Sequence, residues 1–291
     1  MATLPAMKSP LLVIGAPRSG TTLLFETLAR SGELWSIPGE SHRIIEAIPR
    51  LRPFANGKDS NRLTAEDLDA AIAQTLTARF IRAARDNKGR RLTNLPEEDR
   101  PCAIRLLEKT PKNCLRVPFF RALFPDCRFI FIHREPLANI ASIIEGWQSG
   151  RYVSYRRLPG WEGPWSYLLP PGWRALANRP LAEIATFQWK TANACAIADL
   201  RGLPPGSWCS VGYSDLVRDP ARQIERLCRF ADLPFDERLR TATSNELPHS
   251  RSTLTPPGEN KLRKRKKELE AFRLEVAELA AELEQMHLLD G

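Results

Sequence analysis

The sequence predicts an α/β fold: a central parallel sheet with a P-loop-like, phosphate-binding strand–loop–helix, and helices on both faces. Three observations predict it. "LLVIGAP" is a short apolar run, the pattern of a strand buried on both faces of a parallel sheet, and "CRFIFI" reads as a second clear strand. Helical patterns follow both, "TTLLFETLARSG" after the first and "PLANIASIIEGW" after the second. Between the first run and its helix stands "GAPRSGTT", Gly15 to Thr22, with the glycine spacing and closing hydroxyl of a phosphate loop.

The elements follow in order. The helix after the first strand should stop at Gly32, a glycine C-cap signal. A second helix is expected from Thr64, an N-cap residue with acids in the first turn, and reads as scaffold. Residues 87–103 read as a polar loop. The strand Cys127 to Ile132 ends in His133 and Arg134, and Pro136 suits the first turn of the next helix. Residues 147–180 are rich in Trp, Tyr, Pro, Gly and Arg, including Trp147, Trp161, Trp165 and Trp173; a loop-rich segment this long reads as a mobile lid. "SWCSVGYSDL" reads as a third strand ending at Tyr213, before an amphipathic helix with Ile224, Leu227, Cys228 and Phe230 inside. Residues 242–260 read as an ordered loop. A basic helix over about 261–289 closes the chain, with Leu269, Phe272, Val276, Leu279, Leu283 and Met286 in one apolar stripe. Residues 1–291 read as one domain.

Composition narrows the function classes. An apolar fraction of 43% supports a sizeable core. No apolar run is long enough to span a bilayer, and "MATLPAMKSP" lacks the apolar region of a secretory signal. The six cysteines show neither C-x-x-C pairs nor metal spacing, so they read as thiols in a reducing compartment, the cytoplasm. The net charge of +9 favours an anionic partner.

The loop is a phosphate cradle without the lysine that would reach the β and γ phosphates of ATP. Thr21 stands there instead, and Arg18 sits inside the loop. Backbone amides around Ser19, Gly20, Thr21 and Thr22 form an anion nest at a helix N-terminus. Arg18 adds a bidentate partner. The strand to Ile132 ends in His-Arg-Glu and offers no Walker-B acid, which argues against a metal-assisted γ-phosphoryl transfer. A ligand with one 5′ phosphate fits better, and Arg134 with Ser142 offers a second phosphate site.

"APRSGTT", "RFIFIHREPLANIAS" and "VGYSDLVRDP", in this order and spacing from Leu11 to about Phe235, resemble the cytosolic and bacterial sulfotransferases that use 3′-phosphoadenosine 5′-phosphosulfate (PAPS). The resemblance implies a PAPS donor, PAP as product and no metal. It places Arg18, Ser19, Gly20, Thr21 and Thr22 at the 5′ end, Arg134 and Ser142 on the 3′ phosphate, and Tyr213 beside the nucleotide. "EKTPKN" resembles the family's Lys-Thr-His segment, so Lys109 is expected to stabilise charge on the leaving oxygen. Pro111 occupies the place where many members have a catalytic histidine. The base is therefore sought among Glu40, His42 and His249, by reach and by pKa. "STLTPPGENKLRKRKK" looks like a segment of sulfotransferase domains from bacterial polyketide pathways that act on acyl chains held by carrier proteins. It would place Lys261 and Arg263 over the 3′ phosphate, and residues 147–180 as an acceptor lid.

The expected function is transfer of the sulfuryl group of PAPS to an acceptor hydroxyl, with an acyl chain on a carrier protein or a small molecule as acceptor and no nucleic-acid partner. The alternatives are a small-molecule kinase, which would need a loop lysine and a metal acid, and a non-catalytic protein that binds nucleotide or nucleic acid through its basic tail.

Overall fold

The computed structural model describes residues 4–55, 57–254, 265 and 267–289. Its main sheet is formed by β1 (Ala6–Met7), β2 (Leu11–Ile14), β3 (Leu34–Ser36), β4 (Ala103–Lys109), β5 (Arg128–His133) and β8 (Trp208–Gly212). The order is β1-β4-β2-β5-β8, every pairing is parallel, and β3 shares the outer edge of β4 with β1. Alternation along the strands divides the core. Leu12, Ile14, Phe129 and Phe131 face one apolar layer; Leu11, Val13, Ile130 and Ile132 face the other.

The first layer is covered by α3 (Ala70–Ala83), α4 (Val117–Leu123), α5 (Pro136–Gln148), α6 (Leu181–Arg201) and the closing helix α10 (Arg273–Leu289). The second is covered by α1 (Thr21–Leu28), α7 (Tyr213–Arg218), α8 (Pro220–Phe230) and α9 (Glu237–Thr243). A short helix, α2 (His42–Ile45), follows β3. Among the described residues no helix is long and apolar enough to cross a membrane.

Several boundaries differ from expectation. The expected polar loop 87–103 is turns and 3₁₀ segments as far as Cys102; beyond it lies β4, a strand the sequence did not single out because of Arg105, Glu108 and Lys109: Arg105 donates to Ser9 O, Glu108 is buried among hydrogen-bond donors and Lys109 meets a carboxylate. Thr64 caps only a 3₁₀ turn, in a reciprocal capping box with Asp67. The long helix starts at Ala70, capped by Asp69, whose side chain accepts from Ile72 N at 2.8 Å. α1 ends at Leu28, before Gly32. Tyr213 opens α7 rather than ending the third strand.

Residues 147–180 hold an antiparallel pair, β6 (Val153–Tyr155) with β7 (Trp165–Ser166), and a small core of their own. Trp165 and Trp173 are fully buried there, edge-to-face at 5.6 Å, and Trp173 Nε1 donates to Asp59 O at 2.7 Å. The apolar stripe of the closing segment packs as its spacing predicts, with Leu269, Val276, Leu283 and Met286 buried and Phe272 and Leu279 partly so. Lys190–Glu275 (2.9 Å) and Arg201–Glu282 tie α10 to α6.

Candidate active site

In an open parallel sheet, ligands bind beyond the carboxyl ends of the strands where the chain changes direction. Here the Gly15–Thr22 loop leaves β2, the Glu40 segment follows β3, Lys109 ends β4, Arg134 follows β5, and Tyr213 follows β8. They converge on one cleft of about 840 Å³.

The phosphate loop needs its glycines. A Cβ on Gly15 would stand 2.4 Å from Ile132 O and 2.6 Å from Ser19 Oγ. Gly20 has φ 107°, and a Cβ there would stand 2.4 Å from Tyr213 Cδ2. The N-cap of α1 is Gly20, which offers its first amides no side-chain cap. Thr21 and Thr22 line the cleft; Ser19 lies buried behind it, its Oγ without a hydrogen-bond partner among the described residues.

Arg18, in the left-handed region at φ 67°, turns its guanidinium across the cleft. Nε lies 3.4 Å from Ser142 Oγ, and Nη1 donates to Tyr152 OH (2.9 Å) and Ser252 O (2.7 Å). Arg134 reaches Arg18 O at 3.5 Å and lies over the Tyr213 ring at 4.7 Å. Burial pushes the Arg134 pKa down, against the raising effect of Tyr213. The residues read from sequence as two phosphate sites therefore adjoin through Arg18.

On the other wall, Lys109 Nζ lies 3.3 Å from Glu40 Oε1, and His42 Nδ1 lies 3.3 Å from Glu40 Oε2. Burial opposes ionisation of Glu40, but the contact with His42 and the charges of Lys109 and His42 outweigh it and hold its pKa at about 2. His249 lines the same cleft from the 246–253 loop. Lys261 and Arg263 lie outside the described residues.

Residues that the sequence did not single out complete the cleft. Lys112, on the wall beside Lys109, donates to Glu46 (2.9 Å) and Tyr155 OH (3.0 Å). Burial pushes its pKa down to about 8, against the charge of Glu46. Arg116, fully buried, binds the same Glu46 oxygen at 3.0 Å. Tyr152 OH donates to Ser252 O at 2.6 Å, joining the 147–180 segment to the late loop. Tyr152 and Tyr155 lie within the basic stretch "RYVSYRR" and Lys112 within "EKTPKN", the only local signals that they stand near the site. Among the described residues, no three His, Cys, Asp or Glu side chains gather as a metal cage.

A glycine-dependent loop at a helix start, a part-buried arginine beside a helix serine, and a lysine–carboxylate pair next to neighbouring strand ends share one cleft of an α/β protein. The family model described as "Sulfotransferase family" matches residues 10–237, and the chain belongs to that family. It is 25% identical over 234 residues to protein-tyrosine sulfotransferase A of Caenorhabditis elegans, covering 79% of this chain and 52% of that one. It is 28% identical over 236 residues to nodulation protein NoeE of Sinorhizobium fredii, covering 77% and 49%. The chain thus spans about half the length of these curated relatives. The fold is similar to that of the sulfotransferase domain from the curacin biosynthetic pathway (TM-score 0.51, 18% identity, 90% of this chain and 98% of that one). It is likewise similar to a sulfotransferase from Alicyclobacillus acidocaldarius (TM-score 0.50, 14% identity, 95% and 96%).

Proposed function

We propose that this protein transfers the sulfuryl group of PAPS to an acceptor hydroxyl, releasing PAP. The observation that carries the reading is the meeting, in one cleft, of the loop, the Arg134–Ser142 pair and the Lys109–Glu40 pair. The residues fit the donor. A Cβ at Gly15 or Gly20 would strike protein atoms at 2.4 Å, so the tight loop needs both glycines; Ser19 Oγ has no hydrogen-bond partner among the described residues, Arg18 stands beside Ser142, and Arg134 reaches Arg18 O. PAPS, when bound, supplies an activated sulfuryl group on a 5′ phosphate and a separate 3′ phosphate.

The chain's own residues do the rest. Gly20, Thr21 and Thr22 present amides and hydroxyls to the 5′ end, while Arg134 and Ser142 take the 3′ phosphate. Arg18, which touches Ser142 and leaves the loop, serves both ends. Lys261 and Arg263 are assigned to the 3′ phosphate by resemblance. Lys109 stabilises charge on the leaving oxygen. Glu40 takes the acceptor proton: it adjoins Lys109, and an attacking oxygen in line with the leaving oxygen must sit near both. While Lys109 faces Glu40, the carboxylate is a weak base. As Lys109 turns to the leaving oxygen, Glu40 loses a neighbouring cation and its basicity rises. His42 holds the far oxygen of Glu40, and His249 is the remaining candidate base.

The acceptor lies under residues 147–180, where Tyr152, Tyr167 and Leu168 line the cleft. Two acceptor classes follow: a hydroxyl on an acyl chain held by a carrier protein, from the tail resemblance, and a tyrosyl phenol, from the names of the sequence relatives. The six free cysteines suit a reducing compartment, the cytoplasm. The test is binding and turnover. PAP at about a hundred times its dissociation constant should stabilise the protein by about 2.7 kcal/mol without magnesium. PAPS should sulfonate one of the two acceptor classes. Magnesium-dependent stabilisation by ATP, with none by PAP, contradicts the reading.

A further inference from the structure

Glu108 is the one carboxylate of β4. It is 1% exposed and stands behind the cleft wall. Both its oxygens are engaged: Thr110 Oγ1 donates to Oε1 at 2.5 Å and Asn113 Nδ2 donates to Oε2 at 2.6 Å. With its own proton committed to Glu108, Thr110 Oγ1 is left as an acceptor. It accepts from Ser41 N at 2.8 Å, and Ser41 Oγ lies 3.2 Å away. Ser41 is fully buried and stands between Glu40 and His42. Thr110 follows Lys109 directly. A chain of hydrogen bonds thus runs from Glu108 through Thr110 to the backbone that holds Glu40, within one residue of Lys109 at one end and of Glu40 at the other.

We propose that Glu108 is a positioning residue for sulfuryl transfer: acting through Thr110, it fixes the Ser41 amide and so sets Glu40 against Lys109. The inference rests on the roles given to Glu40 and Lys109 above. A buried acceptor at this point dictates which way the Thr110 hydroxyl points, and a fixed direction is what a base aimed at one oxygen requires. The network is separate from the phosphate contacts of the loop, Arg134 and Ser142, so it bears on turnover and not on nucleotide affinity. Burial raises the pKa of Glu108, against the hydrogen bonds from Ser41 and Thr110. The arrangement needs an acceptor there rather than a charge.

The test compares Glu108→Met, Thr110→Val and Glu108→Gln. The first two keep side-chain volume and remove the link; Glu108→Gln keeps an acceptor for Thr110. Hydrogen exchange across residues 38–44, measured on the free protein and with PAP, is the readout. Glu108→Met and Thr110→Val should speed it roughly tenfold, the loss of one hydrogen bond, while β2 and β5 stay protected. Glu108→Gln should restore the wild-type rate. PAP affinity, by calorimetry, should be unchanged in all three. Transfer from PAPS to 4-nitrophenol should lose kcat in the first two without a change in KM for PAPS. Wild-type exchange in a folded Thr110→Val or Glu108→Met protein overturns the proposal, as does a loss of PAP affinity matching the loss of turnover. If the wild-type protein fails to bind PAP, the sulfotransfer reading fails instead, and the exchange rates still judge the chain of hydrogen bonds.

Discussion

Lys109 Nζ and Glu40 Oε1 stand 3.3 Å apart, the lysine at the end of a central strand and the glutamate on the segment after its neighbour. The pair joins the group that would meet the leaving oxygen to the group that would take the acceptor proton. It also links the site to stability. The Glu40 pKa falls from an ordinary 4.5 to about 2 in the folded protein, so its contribution is present in full above pH 4.5. That contribution is lost as the pH falls through about 2, because the unfolded chain then binds the proton more readily. Wild type and Glu40→Gln should therefore differ in melting temperature at pH 6, and the difference should shrink steadily below pH 4.5. With a side chain 36% exposed, solvent screening keeps it small. A difference that grows on acidification contradicts the assignment.

Turnover separates the three candidate bases. Glu40→Gln should lower kcat by about 10²–10⁴-fold, the usual range for a general base. His42→Asn should cost less, since His42 touches the oxygen of Glu40 that faces away from Lys109. His249→Asn should leave kcat near wild type. Steady-state rates with PAPS affinity measured alongside decide it; a full loss in His249→Asn with an active Glu40→Gln moves the base to the late loop.

Gly20 and Gly39 make a matched pair. Both have positive φ, 107° and 108°, but a Cβ on Gly20 meets Tyr213 at 2.4 Å and one on Gly39 meets nothing within 4 Å. Each alanine carries about 1–3 kcal/mol of backbone strain. Gly20→Ala should add the displacement of Tyr213 and lose PAP binding, whereas Gly39→Ala should keep it. Urea unfolding and calorimetry on the two variants check this.

The 147–180 segment is anchored by its tryptophans. Trp173 is fully buried, packs on Trp165 and bonds Asp59 O. Trp173→Ala should cost about 3–5 kcal/mol in urea unfolding. PAP binding to the protein that remains folded should persist, because the phosphate contacts lie on the loop and α5.

What the sequence made legible followed from periodicity and from glycine. The apolar run at Leu11–Ile14, the largely apolar strand at Cys127–Ile132 and the loop between Gly15 and Thr22 gave the sheet, its parallel character and the cleft's position. β4 escaped because its polar residues are satisfied by distant partners: Glu108 by Thr110 and Asn113, Lys109 by Glu40, Arg105 by Ser9. No local pattern announces such bonds. The reach of Arg18 to Ser142, Tyr152 and Ser252 was hidden for the same reason, since those contacts span more than a hundred residues of sequence. The tryptophans of residues 147–180 gave no sign that they would pack into a core of their own.

The central claim is that the cleft holds a nucleotide by two separate phosphates, with Arg134 on the 3′ one. Calorimetry of PAP and of AMP, which lacks the 3′ phosphate, against wild type and Arg134→Ala tests it most directly, without magnesium. Arg134→Ala should weaken PAP by about 1.5–3 kcal/mol, the value of a charge-assisted contact, and leave AMP nearly unchanged. Equal losses for PAP and AMP would contradict it.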